Sequence, residues 1–376
     1  MTVLSMDDAV RSDVDEAPLL RMVRETPTDY WNDSCAISEL EYAIERGAGG
    51  ATSNPTIVLE VLAKERPRWL PRLRQLIGEH PDWTEVEVTW ALVEEMAAGA
   101  AAKLRPVFDA TGGRKGRLSI QTNPANHRNA ERMLEQGLRF AGLAPNMQVK
   151  FPATAAGLEA IERATAAGVS INATVSFTVA QAVAVGVAVE RGLEAAEAAG
   201  HDVAAMSPVC TLMMGRLEDW LRLVTERDGV AVQPDALNWA GVAVFKRALE
   251  VYREGGFRTR LLGAAIRHRL HWTELVGGDV IITMPHAWQV RFNDSGLSPA
   301  SRIDVPVDPA LVDELRTRFP DFARAHDPEG LSLAEFDGYP PTRRTIRTFT
   351  RAYHDLVAAV RDVLVPDPDV RDGVSP

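Results

Sequence analysis

The sequence predicts an α/β chain folded as one (β/α)8 barrel with an N-terminal arm and a C-terminal helix, and three observations carry that expectation. First, the stretch from Asn146 to Phe177 alternates at both ends: Met147, Val149 and Phe151 against Gln148, Lys150 and Pro152, then Ile171, Ala173 and Val175 against Asn172, Thr174 and Ser176. Strand side chains point to opposite faces at period two, so this reads as strand, helix and strand, a parallel unit. Second, one face of both strands is polar. Central strands of an open sheet covered by helices are apolar on both faces, whereas a closed barrel holds a site at one end of its lumen. Third, eight such strands alternate with helical segments without a composition break, and about 250 residues is the usual size of an eightfold core.

The elements follow in order. Residues 1 to about 28 are acidic and weakly periodic and read as an arm or first helix outside the core. D-Y-W-N-D-S-C is a first strand with Asp33 near its end, followed by a helix from Ser38 to Arg46 that Gly47 to Gly50 stops. G-A-T-S-N-P-T is a second strand delivering Asn54. Pro55 ends it for want of a ladder donor and opens the next helix. Residues 57 to about 108 read as helical with breaks at Pro67, Pro71 and Pro81, and the basic turn at Arg114 to Arg117 reads as solvated. R-L-S-I-Q-T-N-P is a third strand, with Ser119 and Gln121 on its polar face. A helix from about His127 to Phe140 leads to the fourth, which carries Lys150, and a helix from Ala155 to Ala167 leads to the fifth, which carries Asn172. After a long helix from Thr178 to Gly200, D-V-A-A-M-S-P-V-C is expected as a sixth strand ending at Ser207 and Pro208, and Gly215-Arg216 opens the next helix. Another helix runs from about Asp235 to Gly255. R-T-R-L-L-G-A-A-I-R is the seventh strand, with Arg267 just past its end, and G-D-V-I-I-T-M-P is the eighth. Residues 286 to 340 read as loop-rich, and Thr342 to Leu364 as an amphipathic helix. The expected divisions are an arm at 1–28, a barrel core at 29–290 and a C-terminal loop and helix at 291–376.

With 46% apolar and 25% charged residues the chain can bury a large core, and its formal net charge of −11 argues against a nucleic-acid footprint. Two cysteines, Cys35 and Cys210, make neither a disulfide framework nor a metal quartet and read as small core residues. The first residues lack a basic segment leading into an apolar one, so no leader is expected and the expected location is cytoplasmic. The longest apolar run, Thr178 to Val189, falls short of the ~20 residues a membrane span needs. His268 and His271 are three apart, but without a carboxylate at ligand spacing they read as core or surface residues, and no metal is expected.

In a barrel the site lies at the carboxyl ends of the strands. Those ends are expected to supply Asp33, Asn54, Gln121, Lys150, Asn172, Thr174, Ser207 and Arg267, with Ser176 alternating onto the same face. A single lysine among Asn, Thr and Ser suits Schiff-base chemistry, because desolvation lowers its pKa and leaves a nucleophilic amine. The bland alternative is a lysine reaching to solvent from a strand end.

Four motifs then resemble one family. V-K-F-P-A-T is similar to the active-site strand of transaldolases, I-N-A-T-V-S-F-T to the strand that follows it, T-S-N-P-T to their second strand, and M-S-P-V-C with G-R-L-E-D-W to their sixth. The resemblance spans roughly residues 28 to 290, and T-I-R-T-F resembles the family's last helix. It implies Lys150 as the Schiff-base lysine and Asp33 as the carboxylate that handles the C4 hydroxyl proton. Asn54, Asn172 and Ser207 would hold a dihydroxyacetone unit, Thr174 a catalytic water, and Arg216 with Arg267 a phosphate. No cofactor is expected, since Lys150 itself would supply the electron sink; small sugar-phosphate substrates are the expected partners, with neither nucleic acid nor membrane, and a homodimer is left open. The expected reaction is transfer of a dihydroxyacetone unit from a ketose phosphate to an aldehyde. The alternatives are release of dihydroxyacetone, as in fructose 6-phosphate aldolases, or a barrel that binds sugar phosphate without turnover. Two positions depart from the family text. Gln121 stands where transaldolases carry glutamate, so it can orient a water but not exchange its proton. Val209 stands where the related aldolases carry tyrosine.

Overall fold

The computed structural model describes residues 17–233 and 235–369, so the expectations for the start of the arm and the end of the tail lie outside the described residues. Eight parallel strands close on themselves in sequence order: β1 (Asp29–Asn32), β2 (Gly50–Thr52), β3 (Arg117–Gln121), β4 (Met147–Pro152), β5 (Ile171–Ser176), β6 (Val209–Leu212), β7 (Arg260–Gly263) and β8 (Ile281–Met284). The barrel is shut by β1 against β8, with Asp29 opposite Ile281 and Asn32 opposite Met284.

Before and between the strands run α1 (Pro18–Glu25), α2 (Ile37–Glu45), α3 (Pro55–Lys64), α4 (Arg66–Glu79), α5 (Glu85–Ala110), α6 (Ala130–Ala141), α7 (Ala155–Ala166), α8 (Val179–Ala198), α9 (Met214–Asp228), α10 (Leu237–Gly255) and α11 (Leu270–Thr273). Beyond β8 come α12 (His286–Asn293), α13 (Pro309–Arg318), α14 (Pro320–His326) and the long α15 (Pro340–Leu364). Several helices start where the preceding strand ends because a side chain there accepts an otherwise orphaned N–H: Asn54 from Ile57, Thr154 from Gly157 and Thr178 from Gln181. The loops that cap these helices therefore form the rim of the barrel's carboxyl end.

Two apolar clusters divide the interior. The larger fills the layer between strands and helices. The smaller, Trp31, Val209, Leu262, Ala264 and Ile281, lies inside the barrel on the β1, β6, β7 and β8 side. The opposite wall of the lumen is polar, with Thr52, Ser119, Gln121, Gln148, Lys150, Asn172 and Thr174 all buried. The polar faces legible in the sequence are thus one half of the lumen. A chain of side-chain bonds runs down this wall: Thr211 donates to Asn172 (2.7 Å), Asn172 to Ser119 (3.2 Å), Ser119 to Gln148, and Gln148 to the Ser207 carbonyl (2.7 Å).

Three expectations change. Asp202 accepts from the Ala204 N–H and starts a short 3-10 turn at Val203–Ala205, a local bond that competes with strand pairing. Pro208 has no donor for the ladder, so β6 begins only at Val209. Ser207 consequently stands before the strand, at the amino end of the barrel, with its hydroxyl on the Arg114 carbonyl at 3.2 Å. Residues 286 to 340, read as loop-rich, hold three helices and a 3-10 turn, two of the helices started by proline at their first position. Pro71 lies inside α4 and Pro106 inside α5 without ending either, since buried Trp69, Leu73 and Leu76, and Leu104, anchor those helices.

The basic turn also divides. Arg114 is exposed, but Arg117 is buried, reaches the Ala205 carbonyl at 2.6 Å and lies over Phe108. Burial draws its pKa down to about 10. Cys35 and Cys210 are free and buried, as expected. Among the described residues no helix is long and apolar enough to cross a membrane.

Candidate active site

Lys150 sits on β4 between Gln121 of β3 and Asn172 of β5, each its register partner. Alternation on a closed barrel turns all three inward. The Lys150 side chain is buried, and among the described residues its amine donates only to the Ser53 carbonyl, at 3.3 Å. Burial lowers its pKa to about 8. The Asp33 carboxylate pulls the other way, and the Arg216 charge adds to the lowering. The amine is therefore desolvated, close enough to one carboxylate to feel it, and among the described residues without a salt bridge.

Asp33 follows β1 immediately. One of its oxygens accepts from Thr52, whose hydroxyl also meets that of Thr283 at 2.9 Å, so β1, β2 and β8 together fix the carboxylate. Asn54 spends its carbonyl oxygen on capping α3 at 3.1 Å, leaving the amide N–H groups for other partners. The Gln121 Oε1 and Thr174 Oγ1 atoms are buried without a hydrogen-bond partner among the described residues. They lie on the strands flanking Lys150. Buried polar atoms are rarely left unpaired, and among the described residues nothing engages these two, which leaves them open to a ligand.

Two residues expected at the site are elsewhere. Ser207 is at the opposite end of the barrel, as described, and the lumen position on β6 belongs to Thr211, bonded to Asn172. The sequence contained the signal: V-C-T-L alternates and runs straight into Gly215-Arg216. The comparison at Val209 moves with it, since Val209 belongs to the apolar floor and not to the carboxyl rim. Ser176 is turned outward by an irregularity in β5. The register to β6 shifts between Ala173 and Ser176, and Val175 takes a positive φ of 56°. After that extra residue Ser176 falls beside the Cys210 thiol, which faces Tyr252 of α10 in the helical layer.

The cationic side of the site is built on β6 and β7. Arg216, in the first turn of α9, lies over the Phe349 ring at 5.0 Å. Burial, then the neighbouring Arg267, holds its pKa below the usual arginine value. Arg267 is gripped by both carboxylate oxygens of Asp219, at 3.2 and 2.8 Å. The first turn of α9 touches the loop after β7 backbone to backbone: a Cβ on Gly215 would stand 1.9 Å from the Ala265 carbonyl oxygen, and Ala265 itself has φ of 63°.

Behind them His268 and His271 do have a carboxylate, which the sequence spacing concealed. Glu218 of α9 lies 2.8 Å from the Nε2 of each. The three could hold a cation by spacing alone. The hydrogen bonding says otherwise. The Arg267 N–H donates to His271 Nδ1 at 3.2 Å, which puts the ring proton on Nε2 and makes it a donor to Glu218. Glu218 also takes the Gly241 N–H at 3.3 Å and faces Arg222. Burial keeps His271 below its ordinary pKa. For Glu218 burial pushes upward, but the two histidines outweigh it and hold the carboxyl low. The cluster is a brace that ties the Arg267 loop to the helix carrying Arg216.

Fold and site together define a barrel enzyme organised around a buried, weakly basic lysine facing one carboxylate and a pair of arginines. The transaldolase/fructose-6-phosphate aldolase family matches residues 30–327. A transaldolase of Parafrankia sp. is 28% identical over 86% of this chain and 90% of its own length, and a transaldolase of Thiobacillus denitrificans is 30% identical over 74% and 82%. One from Thermobifida fusca reaches 35% over a shorter stretch, 47% of this chain and 48% of its own. The chain belongs to the transaldolase/fructose-6-phosphate aldolase family.

Proposed function

We propose that this protein is a transaldolase that moves a dihydroxyacetone unit from a ketose phosphate to an aldehyde through a Schiff base on Lys150. The observation that carries the reading is the buried amine with a pKa of about 8 and, among the described residues, no salt-bridge partner. At pH 7.5 roughly a quarter of such a lysine is free amine, against on the order of one part in a thousand for an ordinary one.

The free amine adds to the C2 carbonyl, and loss of water gives an iminium. Asp33 takes the C4 hydroxyl proton, the C3–C4 bond breaks, its electron pair moves into the iminium as an enamine, and the first aldehyde leaves. A second aldehyde reverses these steps, and water releases the product. Gln121 and Thr174, with their uncommitted oxygens, orient that water from either side of Lys150. Asn54, Asn172 and Thr211 hold the hydroxyls of the three-carbon unit. Arg216 and Arg267 take the phosphate, for which forked guanidinium donors are suited.

The test is borohydride reduction in the presence of a ketose phosphate, followed by mass analysis of peptides. A three-carbon adduct on Lys150 is expected. An adduct on another lysine, or none with any of a broad set of ketose phosphates, defeats the reading.

A further inference from the structure

We propose that α15 carries a second anion site, an arginine-lined groove above the barrel mouth that captures phosphate monoesters on their way to Lys150; this rests on the sugar-phosphate reading above. Arg343, Arg347 and Arg351 recur every four residues and form one exposed stripe on α15. They line a groove of about 1050 Å³ together with Arg344 and, from the loop after β3, Arg128. Five arginines share this groove with two aspartates, Asp337 and Asp355, in a chain whose net charge is −11.

The arginines are not neutralised. Among the described residues Arg128, Arg343, Arg347 and Arg351 have no carboxylate at ion-pairing distance, and Asp337 spends an oxygen on the Ala155 N–H at 3.1 Å. Farther along the same helix Arg361 is fully engaged by Glu85. Like charges at four-residue spacing destabilise a helix, so the stripe is maintained against a local cost.

Its position gives it a use. Arg344 donates to the Asp219 carbonyl at 3.2 Å, and the Asp219 carboxylate holds Arg267, so the groove runs into the arginine pair through a single residue. The charge of Arg344 is also felt at Arg216. A concave surface of one sign raises the local concentration of oppositely charged ligands and the rate at which they arrive.

The experiment compares the full-length protein with the Arg343→Gln/Arg347→Gln/Arg351→Gln triple variant and, separately, Arg267→Ala. It measures kcat/KM for a ketose phosphate and for the unphosphorylated ketose between ~10 mM and ~300 mM salt. The triple variant should lose about 5- to 10-fold in kcat/KM for the phosphorylated donor at low salt and show a flatter salt dependence. Its kcat, and its activity on the neutral donor, should stay unchanged. If the triple variant matches the wild type while Arg267→Ala impairs use of the phosphorylated donor, the groove has no such role and the sugar-phosphate reading stands. If the wild type treats both donors alike at every salt concentration, that reading fails and the groove proposal falls with it.

Discussion

The two ends of the barrel each hold a lysine near an aspartate, and the difference between them separates architecture from chemistry. At the amino end Lys115 meets Asp29 at 2.5 Å. Arg260 holds the other oxygen of Asp29 at 2.9 Å and reaches Asp279 at 2.8 Å, closing a neutralised network. At the carboxyl end Asp33 is bonded to Thr52 instead of to Lys150, and among the described residues Lys150 has a backbone carbonyl as its only partner. Pairing holds an amine protonated and silences it as a nucleophile. An amine buried without a pair stays reactive, and the fold bears the cost of keeping it there.

The comparison breaks most sharply by removing each lysine. Lys150→Met should reduce turnover by on the order of 10⁴-fold or more, as loss of the proposed covalent nucleophile would. Lys115→Met should leave turnover within a few-fold and cost about 1 kcal/mol of stability, because Arg260 still holds Asp29. Steady-state rates and denaturant titrations distinguish the two, and equal losses of activity would collapse the distinction. Asp33→Asn should lower kcat by roughly 10²–10⁴-fold through loss of the proposed proton acceptor. Because the Asp33 carboxylate raises the Lys150 pKa, its removal should also move the pH midpoint of borohydride trapping below about 8. An upward shift would contradict the coupling.

The strain at Lys150 is itself measurable. Its folded pKa of about 8 lies below the ordinary lysine value, so the unfolded chain binds more protons between pH 8 and about 10.5, and stability of the wild type rises across that window. Lys150→Met should therefore be more stable than the wild type by roughly 3 kcal/mol below pH 8. That advantage should fade as the pH approaches 10.5, and a pH-independent difference would point to packing alone. The smallest effect is expected from Gln121→Glu. A carboxylate in register with Lys150 raises the amine's pKa and thins the free-amine population, so single-turnover imine formation at neutral pH should slow by roughly ten-fold at most. A large acceleration would mean that proton relay, and not amine supply, limits the site.

The strands that carry the lysine were legible because the signal was local. Lys150, Asn172 and Gln121 alternate with apolar residues over five or six positions, and nothing in β3 or β4 interrupts the period. The failures came where the backbone leaves its period. The sequence alternates through Ser176 without a break, yet the irregularity at Val175 puts that hydroxyl on the other face. Ser207-Pro208 looks like the end of a strand, but Asp202 ties up the preceding segment and delays β6 by several residues. Partners distant in sequence were invisible for a different reason. Glu218 meets His268 and His271 across about fifty positions, and Arg344 reaches Asp219 from the last helix, contacts that only the closed barrel creates.

The contact between Gly215 and the Ala265 carbonyl leaves no clearance for even one methyl group. The first turn of α9 and the loop after β7, which carry the two arginines, therefore fit like the jaws of a vice whose gap is set by an absent side chain. Gly215→Ala would act as a wedge. The jaws would have to part by an ångström or more, since ordinary van der Waals contact needs about 3.5 Å. Lys150 and Asp33, carried on other strands, would keep their places, so the variant should lose grip on charged donors while trapping of a neutral ketose persists.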